Sequence, residues 1–210
     1  NERFEKFDRQ PIAAASIGQV HRCITKNGTP LAIKVQYPGI RDSIESDIKN
    51  LKFLLKTIGL IPPLIDFDSL MEAGKNQLYL ETDYLAEAEF LESFSRLVAN
   101  LEMFEVPRVY PPLSTSNILA MEFKEGITLD NAITLSQRQR NNLIYNILKL
   151  LFAEIFDFKL IQTDPNFSNF LYQEKQDKIV LLDFGATQKI TPNLSKKFRK
   201  LLRATWRNDE

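Results

Sequence analysis

Gln162-Thr163-Asp164-Pro165-Asn166-Phe167-Ser168-Asn169, followed by Leu181-Leu182-Asp183-Phe184-Gly185, is the stretch on which the reading of this chain turns. An aspartate, four residues and then an asparagine precede an apolar run that ends in Asp-Phe-Gly. This is the order and spacing of a phosphoryl-transfer loop followed by its metal-binding aspartate. Phosphoryl transfer asks a protein for positioned charge rather than covalent chemistry. One carboxylate must meet the incoming hydroxyl, which here falls to Asp164. A carboxylate and an amide oxygen must hold a divalent cation against phosphate, which falls to Asp183 and Asn169. Asp-Phe-Gly alone occurs by chance; both halves in order, with a strand-like run between them, are specific.

Working outward, the next charged group to explain is Lys34, set in the apolar run Leu31-Ala32-Ile33-Lys34-Val35. A bare ammonium among buried neighbours is very costly, so it needs phosphate oxygens or a carboxylate. Upstream lies Ala13-Ala14-Ala15-Ser16-Ile17-Gly18-Gln19-Val20. Laid over the phosphate-loop pattern G-x-G-x-x-G-x-V, Ala13, Ala15, Gly18 and Val20 occupy the fixed positions. Alanine in place of glycine predicts a stiffer lid that envelops the phosphates less closely. Gln19 to Thr25 alternates like a strand, Asn27-Gly28 supplies a hairpin turn, and Leu31 to Gln36 returns.

Tyr37-Pro38-Gly39 ends that strand. Residues 41–58 then read as a helix with Ile44, Ile48, Leu51, Leu55 and Ile58 on one face, stopped by Gly59 and Pro62-Pro63. A second helical region spans about Ser69 to Leu101. It carries Glu81, Asp83, Glu87 and Glu89, one of which should pair with Lys34; periodicity does not choose among them. Val106 to Tyr110 and Ile118 to Phe123 read as the next strands, completing five in a small antiparallel sheet. Residues 1–10 read as a charged lead-in. Met121-Glu122-Phe123 reads as a connector whose backbone meets adenine. Ser136 caps a long helix to about Phe158, assigned to the core. Strands at Phe170 to Tyr172 and Ile179 to Leu182 flank the metal loop. Thr191-Pro192 opens a last amphipathic helix.

Of 210 residues, 44% are hydrophobic and 26% charged, with a formal net charge of zero. That is ordinary globular composition, and no bulk charge argues for nucleic acid. A single cysteine, Cys23, excludes an internal disulfide framework and a cysteine metal site. The most apolar stretch, Asn146 to Ile161, carries four charges and is too short to span a bilayer. The chain starts in mid-pattern and stops soon after Asp183, which reads as a piece of a longer protein. No Ala-Pro-Glu or long activation segment follows Gly185, so no platform for a peptide substrate is evident.

These motifs, with Ala32-Ile33-Lys34-Val35-Gln36-Tyr37-Pro38-Gly39 and Leu182-Asp183-Phe184-Gly185-Ala186-Thr187, resemble the UbiB/ADCK (aarF-domain) atypical kinases over nearly the whole chain. The Gln-Thr-Asp-Pro-Asn form is similar to the mitochondrial coenzyme Q branch. The resemblance implies an α+β, protein-kinase-like, two-lobed fold. Residues 1–123 would form an N-lobe with extra helices, and residues 124–210 a truncated, mostly helical C-lobe. It implies ATP or ADP with Mg²⁺, Ala13–Val20 and Met121–Phe123 at the nucleotide, and Lys34 at the phosphates. Glu87 would be the lysine's helix partner, and Glu81 and Asp83 a regulatory Glu-x-Asp motif. Asp164 would be catalytic, and Asn169 and Asp183 the metal ligands.

By the same resemblance the chain supports ubiquinone synthesis, acting on a lipid precursor or a biosynthetic complex. It would do so on the matrix side of the mitochondrial inner membrane, with peripheral membrane association. The family's upstream Lys-x-Gly-Gln helix is missing from these residues. Two other functions compete. A nucleotide-gated pseudokinase scaffold is motivated by the alanine loop. A small-molecule kinase of the aminoglycoside phosphotransferase type shares the aspartate spacing, but the long alanine loop and extra helices argue against it.

Overall fold

The computed structural model describes residues 3–59, 66–164 and 166–207. It divides into two compact units, one of residues 1–92 and 107–124 and one of residues 93–106 and 125–210.

The first unit is built on a five-stranded antiparallel sheet. Its strands are β1 (Phe4–Phe7), β2 (Ala13–Ala15), β3 (Gly18–Thr25) and β4 (Pro30–Gln36), with a fifth, Ile118–Glu122, supplied later in the chain. The order is β1, β3, β4, then the late strand, and β2 pairs with β3. Gly28, at φ 76, supplies the left-handed turn between β3 and β4. One face buries Cys23, Leu31, Ile33 and Ala120, with Phe4, Phe7, Val35 and Ile118 packed around them. The lead-in expected over residues 1–10 therefore contains an edge strand, whose two phenylalanines cover the core.

Two expectations fail here for identifiable reasons. Val106 to Tyr110 is not a strand. Pro107 has no amide to donate, and only a single bridge forms, between Val109 and Met121. The helical region expected over 69–101 is two helices, α2 (Phe67–Glu81) and α3 (Tyr84–Leu97). Gln36 Nε2 takes the carbonyl of Thr82 at 2.8 Å, and Asp83 Oδ1 accepts from the Ala86 amide at 3.0 Å, which starts a new helix. The preceding helix, α1 (Ile40–Thr57), buries only Ile44; Leu51 and Ile58 of its expected stripe are exposed. Ion pairs of Lys52 and Lys56 with Asp68 link α1 to α2. The proposed stop at Pro62-Pro63 lies outside the described residues.

The second unit holds β5 (Phe104–Glu105), then the first unit's late strand intervenes in sequence as β6, and β7 (Ile127–Thr128) follows. Helix α4 (Gln137–Ala153) comes next, ending in a π turn over Glu154–Phe158. Ser136 caps α4 in a full capping box with Gln139. Then come β8 (Leu160–Gln162), β9 (Phe170–Gln173), β10 (Lys178–Leu181), β11 (Thr187–Lys189) and α5 (Pro192–Arg207). The sheet order is β5, β10, β9, β7, with β5 parallel to β10, and β8 pairs separately with β11. Gly126 lies so close to β9 that an added Cβ would sit 2.9 Å from the Tyr172 carbonyl. Among the described residues no helix is long and apolar enough to cross a membrane.

Candidate functional site

In the first unit the alanine-rich stretch is a tight hairpin. Ala13, Ala14 and Ala15 pair with Val20, Gln19 and Gly18, and Ser16-Ile17 turn the corner. In extended backbone an alanine costs nothing, so the freedom of glycine is not needed at 13 or 15. At 18 it is the missing side chain of glycine that is needed, since a Cβ would lie 2.2 Å from the Val35 carbonyl oxygen. The corner is fastened twice. The Tyr37 amide donates to Ile17 O at 3.0 Å, and Ser16 Oγ donates to Glu81 Oε2 at 2.5 Å.

Lys34 lies on β4 and is 7% exposed. Its Nζ donates to Glu87 Oε1 at 2.8 Å and Oε2 at 3.1 Å, and stands 5.3 Å from the centre of the Tyr84 ring. Of the carboxylates that periodicity left open, Glu87 is the partner. The break before α3 explains the choice: Asp83 caps the helix, so Glu87 falls on its first turn. Asp83 itself is exposed. The start of α3 is pinned to the sheet by Gln36, and Arg41 NH1 donates to Thr82 Oγ1 at 3.2 Å. In Met121-Glu122-Phe123 two amides are already used: Glu122 N donates to Arg108 O and Phe123 N to Pro30 O. Lys124 Nζ pairs with Glu122 Oε1 at 2.7 Å.

In the second unit the loops carrying Asp164, Asn169 and Asp183 are tied to one another through the backbone. Leu182 N donates to Asn169 O at 2.9 Å, and Thr163 gives both its amide and its hydroxyl to Ala186 O. Asn166 Oδ1 accepts from Ser168 N at 3.0 Å, and Asn169 N donates to Asn166 O, shaping the single 3-10 turn between Asp164 and Asn169. Asp183 Oδ1 accepts from Gly185 N at 3.0 Å, which fixes the carboxylate's rotamer. Phe184 is buried against Phe94, ring centres 4.7 Å apart. No three His, Cys, Asp or Glu residues among the described residues could hold a metal by themselves. The two residues expected to hold a cation, Asp183 and Asn169, supply one carboxylate and one amide oxygen. That hard, incomplete set fits Mg²⁺, which keeps waters and takes phosphate oxygens to complete its shell.

Beneath these loops is a residue that sequence reading placed on the core helix and gave no role. Glu154 opens the π turn and is 3% exposed. Its Oε2 accepts from the Gln162 amide at 3.3 Å. Burial pushes its carboxyl up to about 8, opposed in part by that amide. The signal was available: Glu154 stands between Leu150 and Ile155 in the helix's apolar stripe.

The model of the ABC1 atypical kinase-like domain matches residues 1–210. The chain belongs to that family. It is 42% identical over 200 residues to "Atypical kinase COQ8, mitochondrial" of Saccharomyces cerevisiae, covering 95% of this chain and 40% of that protein. Among solved structures, Rv3197 of Mycobacterium tuberculosis, determined with erythromycin, superposes with a TM-score of 0.68 at 28% identity, covering 90% of this chain and 48% of that one. The Rio2 kinase of Chaetomium thermophilum, determined with ADP and Mg²⁺, matches at a TM-score of 0.53 and 11% identity over 94% of this chain and 53% of that one, a likeness of fold. The ABC1 chain is thus α+β and kinase-like, on the side of the family that includes the COQ8 proteins. It spans 30–40% of the length of the first curated relatives.

Proposed function

We propose that this ABC1 domain binds ATP or ADP with Mg²⁺ and transfers or hydrolyses the terminal phosphoryl group. The observation that carries the reading is the buried Lys34–Glu87 pair. A buried ion pair is a poor device for stability, since well-packed apolar residues do as well. A lysine held by a carboxylate and kept from collapsing is what phosphate recognition requires. In this reading Lys34 meets phosphate oxygens and the Ala13–Val20 hairpin covers them. Adenine lies against Met121–Phe123, whose amides at 122 and 123 are already bonded, so its hydrogen bonds fall to the other backbone groups there. Asn169 and Asp183 hold the cation, which when bound neutralises charge on the phosphates. Asp164 accepts the proton of the attacking hydroxyl or water. A bond forms from that oxygen to phosphorus while the bond to the leaving diphosphate oxygen breaks.

The acceptor class is proposed as a lipid precursor of ubiquinone or a biosynthetic complex, in mitochondria at the inner membrane. The support is the likeness to COQ8 proteins. Steady-state hydrolysis of ATP tests the chemistry. Asp164→Asn should lower kcat at least roughly 100-fold while nucleotide still binds. Equal kcat in wild type and variant overturns the assignment of Asp164.

A further inference from the structure

A carboxyl in an apolar stripe is an odd choice for a helix whose task is packing. At the position of Glu154 a leucine would bury more and cost nothing in desolvation. Glu154 is nevertheless almost fully buried, and among the described residues its one hydrogen-bond partner is the Gln162 amide. Two features of the local backbone make that bond. α4 gives way to a π turn at Glu154, which shifts the register of the last helical turn. Such turns are rare and concentrate at functional sites. Lys159 then leaves the helix at φ 57. Its Nζ donates to the Phe156 carbonyl and to Ser195 Oγ, closing the turn and joining it to α5. The chain reverses into β8 and brings Gln162 back over Glu154.

Gln162 is the last residue of β8, two positions before Asp164. On its other side β8 is held by β11, with Gln162 opposite Thr187 just after Asp183-Phe184-Gly185. The strand that launches the Asp164 loop is therefore gripped from two directions. β11 holds it from the Asp-Phe-Gly side, and Glu154 holds it from the helix side. We infer that Glu154 is a positioning residue for Asp164, acting through the Gln162 amide to fix where β8 ends and the loop begins. The inference rests on the reading of Asp164 as the group that meets the acceptor.

The neutral acid is the form that suits the site. Three elements meet the turn, α4, β8 and α5, and among the described residues none gives Glu154 a cationic hydrogen-bond partner; on α5 the Arg199 guanidinium lies over the Phe156 ring, 5.1 Å from its centre. β8 carries no ionisable side chain. On α4, Arg138 and Arg140 lie at the far end, and Arg140 is engaged with Ile133 O, Leu135 O and Gln137. Lys149 and Asp157 line an open cleft of about 570 Å³ with Asn146 and Phe152. Lys159 is committed as described. Loss of the proton therefore leaves a buried carboxylate facing one amide, and the turn must open to hydrate it.

The test compares Glu154→Ala and Glu154→Gln in the full-length protein. It uses nucleotide turnover over pH 6–9.5, Mg·ADP affinity, and hydrogen exchange of the 160–164 backbone, with circular dichroism confirming the fold. Glu154→Ala should lose roughly 10- to 100-fold in kcat with ADP affinity within about twofold, and should exchange faster at Gln162. Glu154→Gln, isosteric and permanently neutral, should recover most of kcat and the slow exchange. It should also remove an alkaline fall in wild-type turnover centred near 8. Equal impairment of both variants, or unchanged kcat in folded Glu154→Ala, overturns the inference. If wild type turns over no nucleotide, the proposed function has failed, and exchange still decides the positioning. Unchanged exchange at Gln162 in Glu154→Ala then rejects it.

Discussion

Two glutamates in this chain are buried to nearly the same degree and live opposite lives. Glu87, in the first unit, is 1% exposed and grips a lysine ammonium with both oxygens. Glu154, in the second, is 3% exposed and meets one backbone amide. The first has an opposite charge within hydrogen-bonding distance. The second, among the described residues, has none, and burial pushes its carboxyl up to about 8. Burial alone does not decide what a carboxylate is for; its partner does. An ion pair holds a charged group in place, here proposed to meet phosphate, whereas a neutral acid serves as a fixed hydrogen-bonding strut.

The largest effect that would break this comparison comes from removing one half of the ion pair. Glu87→Leu removes the carboxylate that grips the buried Lys34 ammonium with both oxygens and should cost about 3–5 kcal/mol in urea unfolding, and adding Lys34→Met should restore most of it. If the single variant is as stable as wild type, Lys34 is not the buried charge described here. Next comes the strut. An unfolded glutamate releases its proton near 4.5, while Glu154 in the fold keeps its proton up to about 8. Between those values the unfolded chain binds fewer protons, so stability should fall as pH rises and level off above 8. At about 1.4 kcal/mol per unit the slope is measurable by chemical denaturation. Glu154→Gln should flatten it, whereas a paired carboxylate would leave stability flat over this range and place a slope of opposite sign below about 4.5.

Smaller effects sharpen the contrast by disturbing one unit at a time. Gly18→Ala pushes a Cβ into the Val35 carbonyl and should lower stability by about 1–3 kcal/mol while leaving the pH dependence of Glu154 intact. A change in that dependence would mean the strut is not local to its unit. Ser136→Ala removes the α4 capping box and should cost about 1 kcal/mol, read as a lower Tm.

The two glutamates also show what a sequence makes legible. Lys34 interrupts an apolar strand, so the need for a carboxylate is visible even where its identity is not. Glu87 is singled out only by the break at Thr82–Asp83, and that break depends on Gln36 reaching across from β4. Residues whose meaning is local were readable: the Asn27-Gly28 turn, the Ser136 cap, and the order of Asp164, Asn169 and Asp183. Pairings across long separations were not. β1 was hidden because its apolar residues, Phe4 and Phe7, are only two and are embedded in charge. The parallel pairing of β5 with β10 has no local signature. Val106 to Tyr110 looked like a strand because its apolar residues outweighed Pro107. Glu154 escapes notice because a helix whose stripe is Leu143, Ile147, Leu150, Leu151, Ile155 and Phe158 needs no further explanation until its buried acid is counted.

Recognition of phosphate and Mg²⁺ by these residues is tested most directly by calorimetric titration of Mg·ADP into wild type and Asp183→Asn. Wild type should bind, and Asp183→Asn, with circular dichroism confirming its fold, should lose the Mg²⁺-dependent part of the affinity. Identical titrations for the two proteins, with and without Mg²⁺, would contradict the account.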